Sequence, residues 1–136
     1  MALFDPTALR GWLIERDVRL CPPASENALE DLRSTFQGSV HPDVISLYQT
    51  FDGCDDGDFD AEHSFSIWPI SKGLEYARKH GLTAVLPFAD AEFSSDVALC
   101  SVLEPMAPVR WHDGMLPKHS SLASFFDAVQ RGKLWS

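Results

Sequence analysis

Apolar positions recur along the chain at two spacings, and together they divide it into five helical and four extended stretches. Leu9, Trp12 and Leu13, with Arg16, lie on one face of a first helix that Asp5 caps and Pro6 begins. Pro22 and Pro23 close that unit. Ser25 caps a second helix with Glu26 at its positive end, and Leu29, Leu32 and Phe36 repeat at helical spacing until Gly38. A third helix opens at Pro42 and carries Val44, Leu47, Tyr48 and Phe51 at i, i+3, i+4 and i+7 before Gly53 supplies a left-handed stop.

Strand formers then take over. Phe65, Ile67, Trp68 and Ile70 predict a first strand over Phe65 to Ile70, with Pro69 marking an edge or a bulge. Ser71 is the expected cap of a short helix through Leu74, Tyr76 and Ala77, with Arg78, Lys79 and His80 at its negative end and Gly81 beyond. Ala84 to Ala89 reads as a second strand interrupted by Pro87. Val97 to Leu103 reads as a third, with Val97, Leu99 and Ser101 opposite Ala98, Cys100 and Val102 and both sides covered. Asp90 to Asp96, with Ser94 and Ser95, is the hairpin connection. Val109 and Trp111 alternate with Arg110 and His112 in a fourth strand wet on one face, and His112, Asp113 and Gly114 turn the chain back through Met115 and Leu116. Ser120 or Ser121 caps a last helix carrying Leu122, Phe125, Phe126 and Val129, which Gly132 stops. With no internal repeat and no linker, the pattern predicts one α+β domain.

Length and composition narrow the class. A chain of 136 residues, 45% of them hydrophobic, can bury roughly two thirds of its unfolded surface around one core. No apolar run reaches the roughly 18 residues of a membrane span. Met1 to Asp5 carry neither a basic region nor a long apolar segment, so a cytoplasmic location is expected. Cys21, Cys54 and Cys100 are odd in number and form no CxxC pair, which fits reduced thiols. A net charge of -9, a pI near 4.8 and 11 dispersed Lys and Arg residues argue against direct nucleic-acid binding and favour a basic protein partner.

The charge is concentrated between the third helix and the first strand. Asp52, Asp55, Asp56, Asp58, Asp60 and Glu62 fall in eleven residues that contain no Lys or Arg. Such a loop repels itself and is expected at the surface, as a solvated tip or a face for a positive partner. Trp68 and Trp111 are candidate anchors beside it, each combining a large apolar area with one donor, although core packing is the commoner role of such residues. Reversal of Asp56 and Asp58 to Lys is expected to slow association with a basic partner and flatten its salt dependence.

Other chemistry finds little support. Asp56, Asp58 and Asp60 alternate as calcium ligands do, yet an EF-hand would need Gly where Ala61 stands and Glu where Ile67 stands, so no metal is expected. Cys54 and His63 could be written as a nucleophile and base oriented by Asp60, but the acidic setting would hold the thiol protonated. His41, His63, His80, His112 and His119 have no HExxH or paired ligand spacing, and GxSxG, Walker and GxGxxG motifs are absent. The residues therefore predict no cofactor and no catalysis.

The order of elements resembles the SUKH superfamily. His41-Pro42-Asp43 running through Leu47, Tyr48 and Phe51 into Asp52-Gly53 is similar to the family's Leu-Pro helix start and Asn-Gly helix end, with His41 replacing the usual Leu. Phe65 to Ile70 resembles its aromatic-bearing first strand. Leu86-Pro87-Phe88-Ala89-Asp90 and Asp96-Val97-Ala98-Leu99-Cys100 resemble its central hairpin, without the Gly often seen between Ala91 and Ser95. Leu122, Phe125 and Phe126 resemble its terminal helix. The likeness spans 25–133 and leaves 1–24 as a helical extension. It implies an α+β fold in which a mixed, mostly antiparallel sheet of four to six strands is flanked by helices. It further implies an immunity protein, monomeric or weakly dimeric, that occludes a polymorphic toxin of nuclease or deaminase type; the alternative within the family is a cytoplasmic adaptor or regulatory scaffold.

Overall fold

Local capping chemistry fixes where most of the helices begin. In the computed structural model, which describes residues 4–55, 58–60, 65–91, 96–112 and 118–132, the Asp5 carboxylate accepts from the Ala8 amide and Pro6 opens α1 (Pro6–Glu15). Ser25 accepts from Ala28 to start α2 (Glu26–Thr35), and Ser121 accepts from Ser124 to start α5 (Leu122–Gln130). In α3 (Pro42–Thr50) the cap is His41, whose Nδ1 accepts from the Asp43 amide while Nε2 donates to the Pro105 carbonyl at 2.8 Å. An amide can only donate and a carbonyl can only accept, so this pair of bonds selects the Nε2–H tautomer.

The fourth helix starts earlier than its sequence predicts. Ile70, expected at the end of a strand, is the first residue of α4 (Ile70–Lys79), with Pro69 at the N-cap and Ser71 inside the helix. Pro69 has no cap-forming side chain, and Asp52, eighteen positions earlier, supplies the acceptor for the Ile70 amide at 2.9 Å. The first strand therefore shrinks to β1 (Phe65–Ile67).

Three further strands, β2 (Leu86–Ala91), β3 (Asp96–Cys100) and β4 (Val109–Trp111), complete a four-stranded sheet in the order β1-β2-β3-β4. Every pairing among the described strands is antiparallel, so the mixed component of the expected sheet is not seen there. The register shifts between Pro87 and Ala89, placing Phe88 in a bulge. Both Phe88 and Ala89 consequently enter the main core, and β2 extends two residues past its predicted end. The predicted third strand loses its end to a turn over 101–107, closed by Glu104 donating to Ser101 and Ala107 to Glu104.

Period-two alternation sorts the sheet into two faces. Phe65, Ile67, Ala98, Cys100, Val109 and Trp111 join the main core with Leu9 and Leu13 of α1, Leu29 and Leu32 of α2, Leu47 and Tyr48 of α3 and Phe125 and Phe126 of α5. On the other face Val97 and Leu99 pack with Trp68 and Val85 in a smaller cluster, bordered by Tyr76 of α4 and Leu82. As expected, β3 is buried on both sides and β4 exposes only Arg110. No helix among the described residues is long and apolar enough to cross a membrane. The predicted hairpin residues Ser94 and Ser95, and the turn from Asp113 through Met115 and Leu116, lie outside the described residues.

Candidate functional site

The described part of the acidic segment, 52–55 and 58–60, is held along two sides by backbone hydrogen bonds. Towards the sheet, Asp60 and Phe65 exchange amide-to-carbonyl bonds of 2.8 and 3.3 Å, and the Cys54 amide donates to Ile67 at 2.7 Å. These bonds cover the open edge of β1, where unpaired strand groups would otherwise be presented. Towards the amino end, Cys21 donates to Gly53 and Asp55 donates to Arg19, with an antiparallel bridge between Leu20 and Cys54. Gly53 is the pivot: its φ of +78° suits glycine, and a Cβ there would strike the Trp68 and Pro69 backbone.

The carboxylates in this frame do not act alike. Asp52 turns inward to cap α4; burial pushes its carboxyl above the usual value, and the Ile70 amide pulls the other way. Asp60 is buried and pairs with Arg16 at 3.8 Å. Asp58 accepts from the Arg19 amide at 2.7 Å, from the Arg19 guanidinium at 3.4 Å and from Phe59 at 3.0 Å. The Arg19 amide is the main reason its carboxyl sits below the usual range. Asp55 is exposed. Asp56 and Glu62 lie outside the described residues, as does His63.

The expectation of a uniformly outward acidic face is thereby corrected. The segment contains no basic residue of its own, but Arg16 and Arg19 reach it from about forty positions earlier, and no local pattern at those positions announces the pairing. Among the described residues of the run Asp55 is exposed and Asp58 half-buried, and Asp17 is exposed just before the adjoining 19–22 ribbon.

The two tryptophans are likewise corrected as surface anchors. Trp68 is 4% exposed and Trp111 is 0% exposed. Trp68 donates through Nε1 to the buried Asp90 carboxylate, while its carbonyl accepts from the Tyr48 hydroxyl at 3.0 Å. Trp111 packs against Phe125 in the main core, with ring centroids 5.8 Å apart. The exposed aromatic of the segment is Phe59, at 39%. It stands between Asp58 and Asp60, and that placement of an aromatic within an acidic run is the signal by which the sequence marks it.

No family model and no curated protein matches the chain. Burial raises the Cys54 thiol to about 11, with Asp58 and Asp90 adding smaller contributions in the same direction, and burial also raises Cys100 and the half-buried Cys21. The acidic setting invoked from the sequence is thus the lesser cause at Cys54. Among the described residues no group of three or more His, Cys, Asp or Glu side chains is placed to hold a metal ion.

Proposed function

We propose that this chain is a non-catalytic binding protein of the immunity type, which neutralises a basic toxin domain of the nuclease or deaminase class by covering its cleft. The observation that carries this reading is the described part of the acidic segment, 52–55 and 58–60, bonded on one side to β1 and on the other to the 19–22 ribbon. A surface fixed before contact loses little conformational entropy on binding. The net charge of -9 steers it towards a positive cleft whatever the local pairing of Asp58 and Asp60. Asp55, Asp58 and Phe59 form the contact, with Phe59 as the apolar anchor; Asp52 and Asp60 shape it from within. The resemblance of His41 to Phe51, Phe65 to Ile70 and the terminal helix to the SUKH pattern supports the same reading.

Affinity capture from the native host, using the unaltered chain and a Phe59→Ala, Asp55→Lys variant, tests the proposal. The expected result is a basic protein retained by the first and lost by the second, toxic when produced alone and harmless when the chain accompanies it. Capture of an envelope-synthesis or housekeeping assembly would instead favour the adaptor, and turnover of a small molecule by the purified chain would remove the binding-protein reading.

A further inference from the structure

The outer face of the sheet holds a second constellation, remote in chemistry from the acidic segment. Lys72, Glu75, Tyr76 and Lys79 follow one another at i, i+3, i+4 and i+7 on α4, so they share a stripe. Together with Trp68 they line an open hollow of about 330 Å³. That size is at the lower end of the ~300–1,000 Å³ typical of small-molecule sites.

The side chains lining the hollow are held by their neighbours. The bond to Asp90 fixes the Trp68 indole, and the Lys72 ammonium lies 4.5 Å from its ring centroid. An ammonium so placed is held by the ring quadrupole and keeps its N–H donors for another acceptor. Tyr76 meets Trp68 edge-on at 5.3 Å, its hydroxyl is bonded to His112 Nδ1 at 2.7 Å, and the His80 ring lies tilted beside it with centroids 4.1 Å apart. The tyrosine therefore offers a ring whose hydroxyl is already engaged. Two ammonium groups against the single Glu75 carboxylate make the lining net positive in a chain of net charge -9.

We infer that this hollow is a ligand site for a small organic anion, a carboxylate or phosphate ester carried on a flat apolar body. The anionic group sits between Lys72 and Lys79, and the body rests on Tyr76 and the edge of Trp68. A bare anion gains little from exposed ammonium groups in water, so the apolar part is what makes binding selective. The site stands independently of the acidic segment and of any toxin partner.

Titration of phenyl phosphate, and in parallel benzoate and inorganic phosphate, into the 15N-labelled full chain at low ionic strength tests the inference. Saturable shifts are expected at the Trp68 indole N–H and the amides of 68–79, with the two aromatic anions binding about tenfold more tightly than inorganic phosphate. Lys72→Gln and Lys79→Gln alter exposed positions of α4 and should each weaken phenyl phosphate about fivefold while the remaining spectrum is preserved. If only one aromatic anion binds, the site is assigned to that anion class. Absence of shifts, shifts spread over the other basic residues, equal response to inorganic phosphate, or unchanged affinity in both variants overturns the assignment.

Discussion

Asp52, Asp58 and Asp60 belong to one acidic run and do three different things. Composition makes their charge legible, but direction depends on partners remote in sequence: the Ile70 amide, Arg19 and Arg16. Asp58 offers a pH test of that distinction. Its carboxyl is held below the ordinary aspartate value of 3.8, so it stabilises the fold in full above that value and the contribution disappears as pH falls through the lower folded value. Asp58→Asn keeps an acceptor for the Arg19 amide but not the charge. Its acid unfolding profile should lack that increment, while Asp58→Ala also loses the hydrogen bonds and costs about 1–2 kcal/mol near neutral pH by chemical denaturation. Profiles for the Asn variant and the unaltered chain that keep a constant offset from neutral pH down through the window below 3.8 would show that Asp58 is merely solvated.

At the level of elements, helical periodicity placed all five helices and local caps fixed the starts of four, because Ser25, Ser121, Asp5, Pro6 and Pro42 act within one turn of themselves. Strand ends were less legible. The Trp68-Pro69-Ile70 step leaves the sheet because Asp52 caps the next helix, and β2 runs on because a bulge admits Phe88; neither cause is local. Gly73 is a further case. Its sequence position marks only a weak helix residue, whereas a Cβ there would meet the Pro87 carbonyl where α4 crosses β2. Helix propensity alone would make Gly73→Ala stabilising by about 1 kcal/mol. Since the obstacle is backbone and cannot swing aside, the variant should instead lose about 1–3 kcal/mol in thermal or urea unfolding. A raised melting temperature would mean that α4 stands farther from β2.

The molecule as a whole carries two surfaces of different character. The first is the segment around Asp55 and Phe59, bonded to β1 and the 19–22 ribbon; the second is the α4 stripe, with Lys72 over Trp68 and Lys79 two turns further on. The fold thus uses part of its acidic run to close a sheet edge and cap a helix, and on the proposed reading Asp55 and Phe59 are what a partner meets. The most direct test of that claim is the association rate of the captured partner, measured by stopped flow from low to high ionic strength with the unaltered chain and with Asp55→Lys. Steering by the acidic segment predicts a rate that falls steeply with salt for the unaltered chain and, for the variant, which remains net negative, a lower rate at low salt with a shallower salt dependence. Superimposable salt dependences for the two chains would contradict it.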